Sequence, residues 1–138
     1  MNAVLLVGRI LFALIFINSG IAHLTKTAAM TGYAQYKKVP AAKLSVIVTG
    51  LMMLVGGVFI VLGFYADLGA LLIAAFLIPA ALIMHKFWAE TDATAKQNES
   101  IGFFKDLSLA GAALVLFAIL HAGAEFGPQI GTLLAFGK

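Results

Sequence analysis

"LGALLIAAFLIPAALIMHKFW", residues 68–88, carries no charged side chain before Lys86. A helix needs roughly 20 predominantly apolar residues to cross the hydrocarbon core of a bilayer. Strand-like alternation is absent, and backbone N–H and C=O groups cannot go unpaired in hydrocarbon. The run is therefore predicted to be a transmembrane helix.

Three further stretches read the same way. One covers about residues 3–24. "LSVIVTGLMMLVGGVFIVLGF" covers about 44–64. "FFKDLSLAGAALVLFAILHAG" covers about 103–123, its uncharged part starting at Leu107. Composition agrees: the 138 residues are 62% hydrophobic and only 11% charged, with a mean hydropathy of +1.05. A soluble domain carries about 25% charged residues. The expected fold is all-α: a single domain over 1–138 forming an integral membrane four-helix bundle with short loops. Membrane lipid is its first partner. The first run has no basic segment ahead of it and holds Arg9 inside it, so it reads as a span and not as a secretory signal.

The tight turn "GFYADLG" makes the second and third helices antiparallel neighbours. Residues 25–43 and 89–102 read as loops, the second polar and solvated. The tail "EFGPQIGTLLAFGK" is too short to span; it reads as a surface segment or a cap. Lys26, Lys37, Lys38, Lys43, Lys86, Lys96 and Lys105 gather at the first and third loops, against Arg9 and Lys138 on the other side. By the positive-inside rule those loops face the cytoplasm, and both termini face outward across the cell (inner) membrane. These few loop charges, although they give a net charge of +3, are topology signals and not a nucleic-acid footprint. Gly50, Gly56, Gly57, Gly69, Ala70, Ala74, Gly111 and Ala112 allow close helix approach and also permit a homo-oligomer. Pro79 is expected to kink the third helix.

Ionisable residues inside spans are costly and mark function by default. Helical spacing puts Arg9, Phe16 and His23 on one face of the first helix, with Asn18 one position round. The fourth helix carries Asp106 and His121 at opposite ends of one stripe. Two polar layers follow. One gathers His23, His85, Lys105 and Asp106, with Asn18 deeper. The other gathers Arg9, His121 and Glu125, with Asp67. Each has a plainer reading. Arg9 can snorkel or pair with Glu125. His121 suits an interfacial hydrogen bond. Lys86 and Trp88 suit a membrane-interface belt, and Asp106 suits the start of a helix.

The chain has no cysteine, which excludes thiolate metal sites and thiol exchange carried by it. No flavin or nucleotide fingerprint, metal-ligand spacing or hydrolase elbow is present.

"GRILFALIFINSGIAHL" (8–24), "VP" (39–40) and "MHKFW…D…FFKDLSLAGAAL" (84–114) resemble the DoxX family of small bacterial membrane proteins. That family is similar to the membrane subunit of a thiosulfate:quinone oxidoreductase, and its members are linked to quinone stress and membrane oxidoreductase assemblies. The resemblance implies a four-span protein near the quinone pool. Members commonly read Lys-Asn where this chain reads Lys105-Asp106.

The leading expectation is a subunit of a quinone-linked redox system. A quinone head group needs an apolar slot, ring surfaces and one or two proton-handling groups. His23, His85 and Asp106 are the candidates for chemistry; Asn18, Phe87, Trp88, Phe104 and Lys105 are candidates for binding the ring. The chain carries no electron carrier, so electrons would come from a soluble redox partner. The alternative is a non-enzymatic scaffold or assembly factor recruiting soluble redox proteins.

Overall fold

A computed structural model describes residues 2–130. Five α-helices follow in order: α1 (Asn2–Thr25), α2 (Thr27–Tyr36), α3 (Ala42–Leu62), α4 (Ala66–Met84) and α5 (Ala93–His121), with a 3₁₀ turn at Phe87–Ala89 before α5. Among the described residues there is no strand.

Four of the helices are long and apolar enough to cross a membrane. Only 22% to 33% of the most apolar stretch of each is buried inside the protein. Val4, Leu11, Leu44, Leu71, Leu82, Val115 and Ile119 point outward on different helices. In water such a continuous apolar surface would be an aggregation hazard; in a bilayer it is the lipid-facing surface.

Packing follows a row: α1 lies on α3, α3 on α4 and α4 on α5, while α2 rests on α3. The two ends of the row, α1 and α5, make no extended contact with each other. Phe16, Met53, Ile60, Ile73, Leu77 and Leu120 form the core with Ala13, Ala70, Ala110 and Ala113. Small residues set the closest approach. A Cβ on Gly56 would come 2.9 Å from the Gly69 carbonyl, and one on Gly69 would come 2.7 Å from the Gly56 carbonyl. The α3–α4 pair thus packs backbone to backbone, where no hydrophobic effect drives helices together.

The α3–α4 turn closes through Gly63, at φ +65°. Its N–H reaches the Ile60 carbonyl, and the Phe64 N–H reaches the Phe59 carbonyl. This is a Schellman arrangement, in which glycine adopts the left-handed conformation without a Cβ penalty.

Two expectations about loops are corrected. Residues 25–43 are mostly helix: α2 buries Ala34, which packs with Ala42 and Val46 against Met30 and Val39. Residues 89–102 are mostly the first turns of α5, which starts ten residues earlier than the apolar run does. Asp92 caps it, accepting a hydrogen bond from the Ala95 N–H at 2.8 Å. A short polar side chain at this position satisfies one of the orphan donors of a helix start. A hydropathy reading is blind to both segments because neither is a span.

The tail beyond α5 caps one end of the bundle up to residue 130. Phe126 is buried, and the Ile130 N–H donates to the Leu62 carbonyl. The rest of the tail, with Lys138, lies outside the described residues.

Candidate functional site

The α2 end of the bundle holds a chain of charges. α4 stops at Met84, and His85 is its C-terminal cap, its N–H still on the Ala81 carbonyl. The backbone then turns away, so the ring projects toward α5. His85 Nδ1 lies 2.7 Å from Glu99 Oε2, and its Nε2 lies 3.5 Å from Asp106 Oδ2. Glu99 Oε1 accepts from Lys37 Nζ at 2.7 Å. Lys105 Nζ stands 3.7 Å from Asp106 Oδ1. The order Lys37–Glu99–His85–Asp106–Lys105 therefore joins the α2–α3 connection, the end of α4 and one face of α5.

Glycine makes room for both histidines at this end. A Cβ on Gly102 would lie 2.6 Å from His85 Nδ1, so the ring rests directly on the α5 backbone. A Cβ on Gly50 would lie 2.8 Å from the His23 Cβ. His23 Nδ1 is 2.8 Å from the Ser19 carbonyl, one turn back along α1. A carbonyl only accepts, so the proton is on Nδ1 and the neutral ring keeps a lone pair at Nε2.

A cavity of about 410 Å³ runs inward from these groups. That lies within the usual size range of small-molecule sites. Its walls come from all five helices, and it is mostly apolar: Ile15, Phe16, Met30, Val46, Met52 and Phe76 among others. From His23 to Ile15 the α1 wall descends ~12 Å. Pro79 lies inside α4 on this wall. Having no N–H, it cannot serve the Ala75 carbonyl one turn earlier. His23, His85, Lys105 and Asp106 line the cavity as well. Asp106 is buried.

Lys37 lies outside the spans. Burial disfavours its ammonium, but the hydrogen bond and negative charge of Glu99 outweigh that and hold its pKa above the ordinary lysine value.

The sequence candidates divide. His23, His85, Lys105 and Asp106 meet around one cavity. Asn18 does not: it is exposed on the outer side of α1, two residues and so about 200° round from both buried Phe16 and buried Gly20. Phe87, Trp88 and Phe104 do not line the cavity either. They form an aromatic cluster with Phe103 just past His85, with neighbouring ring centroids 5.2 to 6.1 Å apart. Trp88 and Phe104 are more than half exposed, which fits a membrane-interface belt. Glu99 is absent from the sequence candidates because residues 89–102 read as a solvated loop by hydropathy. Its spacing, seven residues before Asp106, would have put both on one face of an extended α5.

The second polar layer, at the opposite end, is reorganised. Arg9 is buried, and its partners are carbonyls. Nε donates to Ile60 O at 2.9 Å and Nη2 to Val61 O at 2.7 Å. Nη1 donates to Phe126 O at 2.9 Å and also to Pro128 O. Its guanidinium sits 4.5 Å from the centre of the Phe126 ring. Glu125 is exposed and takes no part in this arrangement. Carbonyls at the end of α3 carry partial negative charge, and those of Ile60 and Val61 meet Arg9 where a carboxylate was expected. His121 Nδ1 stands 3.7 Å from Asp67 Oδ2, and its ring stacks on Phe117. Asp67 also accepts from the Leu68 N–H.

Among the described residues no group of three or more His, Asp or Glu is arranged to hold a metal ion.

Four apolar spans around an apolar cavity with a charged end define a small multi-pass membrane protein. The chain belongs to the DoxX family, whose model matches residues 4–86. That match takes in α1 to α4 and His85, and ends before Glu99 and Asp106. The inner membrane protein YphA of Escherichia coli (strain K12) is 33% identical over 120 residues, which is 87% of this chain and 84% of that protein. No solved structure matches the chain.

Proposed function

We propose that this chain is a membrane-embedded subunit of a quinone-linked redox system of the inner membrane. It holds a quinone or similar apolar ligand with its head group among His23, His85 and Asp106. The observation that carries this reading is the cavity itself: an apolar slot about 410 Å³ in volume that ends at two histidines and a buried carboxylate. The volume suits a substituted ring and the first part of a tail. Because α1 and α5 are not packed together, a longer tail would leave toward lipid between them.

In this reading Glu99, His85 and Asp106 act in series. Imidazole can take a proton at one nitrogen and release one at the other. Glu99 and Lys37 keep the ring oriented and connect it to the water-facing loop. Electrons come from a soluble redox protein docked on the face formed by α2 and the start of α5. We place that face in the cytoplasm on the lysine bias, with both termini outside. A reporter fused after Lys138 tests this, and a cytoplasmic signal overturns it.

Binding is tested on protein purified in detergent, titrated with ubiquinone and menaquinone analogues. Affinity unchanged in a His23→Ala, His85→Ala double variant would remove the site. No binding at all, together with a co-purifying soluble redox protein, would favour the scaffold reading.

A further inference from the structure

We infer that the cavity is built to favour a ligand that donates hydrogen bonds: an apolar molecule bearing hydroxyl groups, which in the quinone series means holding the quinol more tightly than the quinone. The inference rests on the reading of the cavity as a quinone-type site and names the redox form it holds more tightly.

His23 has its ring proton on Nδ1, directed at the Ser19 carbonyl at 2.8 Å. Its Nε2 then offers only a lone pair in the neutral ring. Ser45 and Thr49 also line the cavity. The Ser45 hydroxyl donates to the Pro40 carbonyl at 2.7 Å. The Thr49 hydroxyl donates to the Ser45 carbonyl at 2.6 Å. Each hydroxyl has one proton, so both oxygens are left as acceptors. Asp106, as a carboxylate, accepts only. Its neighbours His85 Nε2 and Lys105 Nζ stand at 3.5 and 3.7 Å, too far for short bonds that would fill its lone pairs. His85 directs its two nitrogens at Glu99 and Asp106. The remaining donors are the hydroxyls of Ser19 and Tyr33 and the ammonium of Lys105, whose side chain is half exposed.

Residues carrying four acceptors, from α1, α3 and α5, thus line one apolar space. A quinone carbonyl would set lone pair against lone pair at each of them. A quinol hydroxyl would satisfy them. A site built to pair with a ligand O–H discriminates strongly against the analogue lacking it, because its own polar groups are then left unpaired.

The test compares three ligands of equal tail length on the purified protein, anaerobically, by isothermal titration: a decyl-substituted benzoquinone, its quinol, and the quinol dimethyl ether. The quinol is expected to bind about tenfold tighter or more than the other two. His23→Ala and the isosteric Thr49→Val should each narrow that gap; using both guards against one variant failing to fold. A quinone that binds as tightly as its quinol, or a gap that survives in both variants, overturns the inference and leaves the quinone-type reading standing. If none of the three ligands binds, both fail.

Discussion

Glu99 bonds in two directions at equal distance: 2.7 Å to His85 Nδ1 through one oxygen and 2.7 Å to Lys37 Nζ through the other. One carboxylate thereby ties the α2–α3 connection and the end of α4 to α5. Both bonds are charge-assisted when the partners are ionised, and such bonds are stronger than neutral ones. Glu99→Gln should lower stability by about 2 kcal/mol, read as a fall in the unfolding temperature in detergent. Lys37→Met should cost less, because the Glu99–His85 contact survives. An unchanged unfolding temperature in Glu99→Gln would show that the contact contributes nothing.

Gly102 and Gly111 share α5 but differ in what surrounds them. A Cβ at 102 would meet the His85 ring, whereas one at 111 meets nothing within 4 Å. Gly102→Ala should displace His85 from Glu99 and Asp106 and speed its modification by diethyl pyrocarbonate. Gly111→Ala should leave that rate unchanged and stabilise the helix, by up to about 1 kcal/mol. Equal modification rates in the two variants would contradict this account of the His85 seat.

Lys37 has its pKa raised by Glu99 against the opposing effect of burial. A raised lysine contributes stability that is complete below the ordinary lysine value, ~10.4, and is lost as pH rises through the raised value. Hydrogen exchange in α2 and at the start of α5 should therefore accelerate at the alkaline end of the range. Lys37→Met should exchange faster at neutral pH and lose that alkaline step. A wild-type step unaffected by Lys37→Met would assign it elsewhere.

Arg9 gathers carbonyls from the end of α3 and from the segment after α5. Its planar fork serves several acceptors at once, a geometry lysine lacks. Arg9→Met should therefore destabilise by about 3 kcal/mol or more, and Arg9→Lys should recover only part of that. The 125–130 segment should also become sensitive to protease in both. Protease resistance equal to the wild type in Arg9→Met would show that Phe126 alone holds the cap.

Much of this fold was legible because hydrocarbon imposes a simple rule. Four apolar runs had to be helices, and the "GFYADLG" turn had to make α3 and α4 neighbours. His23, His85 and Asp106 were recognisable as residues at one end of the bundle by counting along each helix. Other parts were not legible. α2 and the first turns of α5 are ordinary amphiphilic helices, which hydropathy averages into loops. Glu99 vanished with them. Asn18 was misassigned because a step of one residue on a helix turns a side chain by about 100°, away from the cavity and toward lipid. Arg9 was matched to a carboxylate because backbone carbonyls are invisible to a reading of side chains.

The sequence by itself determined the spans, their alternation across the membrane and the level of each polar residue, since these follow from the bilayer's thickness and the rise of a helix. The tertiary structure alone decided which polar groups meet. It set His85 between two carboxylates and gave Arg9 to carbonyls. Those outcomes depend on the rotation of each helix about its axis and on hydrogen-bond directions, and both are fixed only when the helices pack.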